Sequence, residues 1–250
     1  MYTTDGSRLI FNKRSNDVRI KEGKMQAIFE TIFDLVYLIG ISIIGIQMIR
    51  KSERDSQFFL FGVMALVLAF GDSFHLIPRM IGLNTTGLED FTFYLGLGKF
   101  ITSITMTIFY IILYYVWKKR YKVSKVKNLD FLVYILSIVR IVLCLMPAND
   151  WFNGNGPLSW RIYRNIPFSL LGILIIYLFY KMERAKNDEN FKNMYLTILL
   201  SFAFYLPVVI FEDSYPLVGA LMVPKTCAYV WSILIGYFAM KKEENNEKVY

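Results

Sequence analysis

Residues 58–80 read FFLFGVMALVLAFGDSFHLIPRM. The stretch begins as an unbroken apolar run and ends with Asp72, His75 and Arg79. A helix needs roughly 20 mostly apolar residues to cross a bilayer, and this run is long enough. Its ionisable residues then lie in or beside hydrocarbon, where a charge costs about 2.5–3.5 kcal/mol unless it is paired or hydrated. Two questions follow: how many such runs the chain holds, and what the polar residues are for.

Comparable runs lie at about Met25–Ile49, Phe58–Pro78, Tyr94–Trp117, Leu129–Met146, Asn165–Met182, Asn193–Phe211 and Tyr215–Met240. They predict an all-α, polytopic integral membrane protein, a seven-transmembrane-helix bundle over residues 25–242. A basic N-terminal tail, 1–24, precedes it and a polar C-terminal tail, 243–250, follows. Of the 250 residues 55% are hydrophobic, a share that soluble chains of this length rarely reach.

The net charge of +8 raises the question of nucleic acid. Its distribution answers against it. Lys118, Lys119, Arg120, Lys122, Lys125 and Lys127 share one loop, and Arg50, Lys51 and Arg54 another. Lys181, Arg184, Lys186 and Lys192 follow span five, and Lys241, Lys242 and Lys248 follow span seven. The alternate loops hold only Arg79, Arg161 and Arg164. That alternation is the positive-inside pattern of a cell-membrane protein with a cytoplasmic C-terminus and, with seven spans, an outside N-terminus. The expected partner is the lipid bilayer, not nucleic acid, and the oligomeric state is left open. The tail residues Arg8, Lys13, Arg14, Arg19, Lys21 and Lys24 run against that orientation. No apolar core precedes Met25, so the tail is not a signal peptide. Translation starting at Met25 would remove the conflict, and an intact mass that includes residues 1–24 would reject that start.

Several chemistries are excluded. Cys144 and Cys227 lie in different spans, outside any CxxC redox or zinc motif, and are expected to be small buried residues. One histidine cannot supply a multi-histidine zinc site, so no metal or cofactor is expected. Ser73 is two residues from His75, and such neighbours do not face each other on a helix, so a nucleophilic triad is unfavoured. Lys225 in the last span has the position of a retinal Schiff-base lysine, but span three carries no acid as counter-ion. Asn84-Thr85-Thr86 fits a glycosylation sequon, a pattern short enough to arise by chance.

The remaining signal is depth. Glu30 and Asp34 come early in span one; Asp72, His75 and Arg79 come late in span two; Lys99 comes early in span three. Arg140 lies past the middle of span four, Arg161 and Arg164 begin span five, Glu212 and Asp213 end span six, and Lys225 enters span seven. All fall in the outer half. The inner halves, such as GISIIGIQMI and MTIFYIILYYVW, carry no charged residue. Helical spacing groups Asp72, His75 and Arg79 on one face, Glu30, Asp34 and Tyr37 on another, Ser137, Arg140 and Cys144 on a third, and Lys225, Tyr229 and Ser232 on a fourth. A one-sided polar pocket is the expectation. Arg79, Arg161, Arg164 and Glu212 taken singly fit headgroup-seeking or structural roles better.

GDSFHL (Gly71–Leu76) and EDSYPL (Glu212–Leu217) each close a span that is followed by one with an outer lysine, Lys99 or Lys225. This suggests a 3+1+3 internal repeat and makes Asp72 and Asp213 equivalent. A carboxyl pair suits hydrolysis through an oxocarbenium-like state, one group as acid and one as base.

MALVLAFGDSFHLIP followed by FYLGLGKFITSITMTIFYIILYY, with VVIFEDSYPL later, resembles the YhhN-like lysoplasmalogenase family. The resemblance implies hydrolysis of the vinyl-ether bond of a lysophospholipid, with Asp72 and Asp213 as the candidate catalytic pair. Asp34, His75, Lys99, Arg140 and Lys225 are candidate substrate-binding residues, with the head of a lipid or other amphiphile at Lys99, Arg140 and Lys225. Two other readings stay open. A transporter is favoured by the repeat and by expected breaks near Pro207, Pro216 and Pro224, though a transport path needs polar groups in both halves. A seven-helix ligand sensor would need a signalling partner.

Overall fold

The structure is a computed structural model that describes the backbone of residues 5–154 and 156–247 and the side chains of 23–154, 156–215 and 217–246. Seven long helices account for nearly all of it: α1 (Asp5–Lys51), α2 (Gln57–Asn84), α3 (Thr92–Arg120), α4 (Lys127–Leu145), α5 (Leu158–Lys186), α6 (Met194–Phe211) and α7 (Met222–Glu247). Among the described residues there is no strand. All seven helices are long and apolar enough to span a membrane, and the chain is a multi-pass membrane protein of seven helices. Six of the expected runs fall inside these helices to within a residue; the seventh helix begins later than expected, at Met222 and not Tyr215, because Pro216–Leu221 forms a short 3-10 helix ahead of α7. Backbone helix also continues from Asp5 into α1, so part of the 1–24 segment extends the first helix. The side chains of residues 1–22, and residues 248–250 of the C-terminal tail, lie outside the described residues.

Local chemistry marks the helix ends. Ser56 caps α2, its Oγ accepting from the Phe59 N–H at 3.1 Å. Asn187 closes α5 in the left-handed region (φ 49), which asparagine tolerates. Lys118, Lys119 and Arg120 occupy the last turn of α3, where cations meet the negative end of the helix dipole. Pro78, Pro167 and Pro207 lie inside α2, α5 and α6. The helices run on through them, so the break expected near Pro207 is not there. In a packed membrane bundle, neighbouring groups satisfy the carbonyl a proline frees.

Alternating helices sort the loops onto two faces. On the basic face, Lys119 donates to Asp55 at 2.5 Å. Arg120 there binds Asp188 at 2.8 Å and Glu243 at 2.6 Å. These contacts tie together the α1–α2 and α5–α6 loops and the ends of α3 and α7. On the opposite face Arg79 binds Glu30 at 2.8 Å, Asn84 donates to Thr31 at 2.8 Å, and Arg161 pairs with Asp213.

Between the faces the core is aromatic and aliphatic: Phe61, Phe109, Tyr110, Leu113, Phe168, Ile175, Phe179 and Phe202 are all buried. Close helix approach depends on glycine, since lipid offers no hydrophobic drive between helices. A Cβ on Gly62 would lie 2.8 Å from the Gly45 carbonyl oxygen of α1. A Cβ on Gly98 would lie 2.7 Å from the His75 backbone nitrogen of α2. The outward stripe of α1, Ile28, Ile32, Val36, Ile39, Ile43 and Ile46, is exposed, as a lipid-facing surface is. Cys144 is buried as expected, but Cys227 is exposed. It lies on the side of α7 opposite the face that carries Lys225 and Tyr229.

Candidate functional site

The helical faces picked out by spacing are buried on α4 and α7 and only in part on α1 and α2, where Glu30, His75 and Arg79 are half-buried. Val133, Ser137, Arg140 and Cys144 are the buried residues of α4. Asp34 and Tyr37 of α1, Asp72 of α2, and Lys225, Tyr229 and Ser232 of α7 are buried as well. The structure joins them in two groups.

The first group is centred on Asp72. Tyr37 Oη donates to Asp72 Oδ2 at 2.6 Å, fully inside the bundle. Lys225 and Asp34 lie within electrostatic reach of Asp72. Among the described residues Lys225 Nζ has no hydrogen bond and no ion pair within 4.0 Å. It stands 5.6 Å from the Tyr229 ring centroid and 5.8 Å from that of Tyr205, a cation–π setting. His75 points its Nδ1 to the Leu95 carbonyl at 3.3 Å. Ser73 Oγ donates to the Phe70 carbonyl at 2.7 Å and takes no part. Asp34 therefore joins Asp72, while Glu30, on the same face of α1, is held by Arg79.

The second group lies between α4, α5 and α6. Arg140 is 1% exposed. It donates through Nη1 to the Arg164 carbonyl and to Asn165 Oδ1, and its guanidinium lies 4.1 Å from the Phe168 ring centroid. Tyr205 Oη donates to the same Asn165 oxygen at 2.9 Å. Arg164 donates to Asn149 Oδ1 at 2.8 Å and stacks 4.0 Å from the Trp151 ring. Asn149 is itself fixed because its Nδ2 satisfies the Leu143 and Met146 carbonyls at the end of α4. Tyr205 links the groups, bonding Asn165 and lying beneath Lys225. Lys99 lies in the field of Arg79, Arg161, Arg164 and Glu212.

Arg161 and Arg164 are buried rather than headgroup-seeking. Arg161 takes the structural role, paired with Asp213, and Arg164 is held by Asn149 and Trp151. Asp213 goes to Arg161, with Glu212 at 4.0 Å from the same guanidinium. It is placed in the turn after α6, whereas Asp72 sits well within α2. Tyr205, Asn149, Trp151 and Asn165 carry no motif that singles them out in the sequence. Asn165 has a weaker signal, since it continues the buried Arg161–Arg164–Phe168 side of α5. Among the described residues no group of three or more His, Cys, Asp or Glu side chains is placed to hold a metal. A depression of about 610 Å³ lined by Arg120, Asp188 and Lys242 lies on the basic face, away from both groups.

Fold and site together define a seven-helix membrane protein with a charged and phenolic cluster in one half of its bundle. No family model matches the chain, and no solved structure matches it. The chain is similar to an uncharacterized protein of Aquifex aeolicus (strain VF5), 29% identical over 72 residues. The match takes in 29% of this chain and 54% of that protein, so the chain spans about half the length of the curated relative it matches.

Proposed function

We propose that the protein binds a lipid-like amphiphile in the half of the bundle that holds Asp72 and hydrolyses it. The substrate class suggested by the resemblance to lysoplasmalogenases is a vinyl-ether lysophospholipid. The observation that carries this reading is Asp72, a carboxyl fixed by Tyr37 inside the bundle and facing Lys225, whose ammonium has no hydrogen bond among the described residues. Structural ion pairs close on each other, as Arg79 and Glu30 do. Asp72 and Lys225 do not, and polar groups held apart at membrane depth are the usual mark of a ligand path.

A vinyl ether is cleaved when an acid protonates its alkene carbon. Water adds to the oxocarbenium ion, and the hemiacetal splits to an aldehyde and an alcohol. With Tyr37 on Oδ2, Asp72 Oδ1 is the oxygen assigned to the proton. Asp34 is assigned to the water, because it is the carboxyl within reach of Asp72. Asp213, the partner suggested by the repeat, is assigned to holding Arg161. The positive-inside rule places the basic face in the cytoplasm, so the amphiphile would enter from the outer leaflet. The transporter reading lacks its expected helix break at Pro207, although a 3-10 turn at Pro216–Leu221 does interrupt the start of the seventh span.

The test is aldehyde release from lysoplasmalogen by protein purified in detergent. Release by wild type that is lost in D72N and D34N and kept in D213N supports the assignment. No aldehyde from folded wild-type protein overturns hydrolysis.

A further inference from the structure

Among the described residues Arg140 and Arg164 are two buried guanidiniums with no carboxylate partner. Of the three buried arginines here, Arg161 is the one with acids among the described residues, Asp213 and Glu212. Among the described residues no carboxylate lies within 4.0 Å of Arg140 or Arg164. Arg140 Nη1 is used by the Arg164 carbonyl and Asn165, but Nε is fully buried and has no hydrogen-bond partner. Nη2, the other arm of the same edge, has no acceptor among the described residues. Arg164 likewise uses only Nη1, on Asn149. Arg164 is also repelled by Arg140 and by Arg161.

Buried guanidiniums normally have their N–H groups satisfied and their charge paired. Here the stacking partners, Phe168 and Trp151, hold the planes in place without accepting a hydrogen bond. The Asn149 and Asn165 amides hold one end of each fork. The side-on edge of Arg140 has no partner among the described residues, and that edge matches two oxygens of one anion. Lys99, in the field of Arg164, adds a third positive charge nearby.

We propose that Arg140 and Arg164 form a phosphate-binding site between α4 and α5. A phosphate fits better than a carboxylate, since its oxygens are set tetrahedrally and can meet two differently oriented forks, whereas the two oxygens of a carboxylate lie in one plane. The phosphate would come from a lysophospholipid headgroup or from a soluble phosphate. With the first source the inference deepens the function proposed above and rests on it. The site is therefore tested by binding and not by aldehyde release, so the two can fail separately.

Wild-type protein in detergent is titrated with inorganic phosphate, with lysophosphatidylcholine, and with a monoacylglycerol of the same chain length, following intrinsic tryptophan fluorescence. R140Q, R164Q, the charge-retaining R140K, and R184Q on the basic face are measured alongside, and each fold is checked by its melting curve. Saturable binding of phosphate or of lysophosphatidylcholine is expected, weakened about tenfold or more in R140Q and R164Q, less in R140K and not in R184Q. Monoacylglycerol affinity stays the same across the set. Binding of inorganic phosphate alone identifies a soluble ligand, and binding confined to lysophosphatidylcholine identifies a lipid head; both support the site. Wild-type protein that binds neither phosphate compound overturns it, as does unchanged binding in any folded glutamine variant. If both glutamine variants fail to fold, R140K and R164K decide, since a lysine cannot reproduce the fork; unchanged affinity in both overturns the proposal.

Discussion

GDSFHL and EDSYPL look alike in sequence and end up in different surroundings. Gly71–Leu76 lies inside α2, with Asp72 buried, bonded to Tyr37 and facing Lys225. Glu212–Leu217 lies beyond the end of α6, with the Asp213 side chain 48% exposed and paired to Arg161. The same Asp-Ser pair is a buried group at membrane depth in one place and a surface clamp in the other. The cause is where the helix stops. α2 carries its motif on into Ile77–Asn84, while α6 ends at Phe211, just before the second motif, whose own Pro216 lacks the N–H needed to prolong a helix.

The largest expected effect is catalytic. If the proposed hydrolysis is correct, D72N lowers aldehyde release by about 10²–10⁴-fold, the usual weight of a positioned acid. D213N stays within about threefold of wild type, since acid catalysis does not pass through it. Equal losses in both variants would restore the equivalence of the two motifs and break the comparison.

Packing is the next test. Gly98 lies against the backbone of Phe74 and His75, so G98A forces α3 away from the first motif and costs about 1–3 kcal/mol. Gly219, just beyond the second motif, has nothing within 4 Å of the position a Cβ would take, and G219A leaves the melting temperature unchanged. A matched fall in both would mean that the second motif is packed as tightly as the first.

A smaller effect separates the two acids by their partners. Y37F removes a buried hydrogen bond to Asp72 and lowers stability by about 1–2 kcal/mol. D213N costs about 0–1 kcal/mol, because the acid is half exposed and Glu212 remains beside Arg161. Denaturation in a mild detergent series measures both.

The smallest effect comes from Asp188, a reference acid in the loop between α5 and α6. Burial pushes its carboxyl up, but two hydrogen bonds from Arg120 outweigh that and hold it below the usual carboxylate range. A depressed acid contributes stability that is full above its unfolded value, about 3.9, and is lost as pH falls through the lower folded value. Melting temperature should therefore drop on acidification below about pH 4, and D188N should flatten part of that drop. An unchanged acid limb in D188N would show that the Arg120 pair carries none of it.

Much of the architecture is legible without coordinates. Seven runs of spanning length cannot pack as a soluble core, and backbone groups in lipid must be satisfied within each helix. The basic loops sort the two faces. Spacing on α4 and α7 places Arg140 and Lys225 on buried faces because helical period alone decides which side chains share a side. Arg161 and Arg164 are not legible in the same way, because a charged residue near a helix end can turn either way and only a partner decides. That partner is Asp213 for one and the Asn149–Trp151 loop for the other, each from a different element.

The sequence by itself determined the seven helices, their alternation and the confinement of charge to one half, because run length and period are local properties. The tertiary structure decided which charges meet. It brought Asp34 and not Asp213 within electrostatic reach of Asp72, gave Tyr37 to Asp72, and, among the described residues, left Arg140 and Arg164 without an acid. Those pairings depend on how helices rotate and approach at Gly62 and Gly98, and no local pattern in one helix specifies the face its neighbour presents.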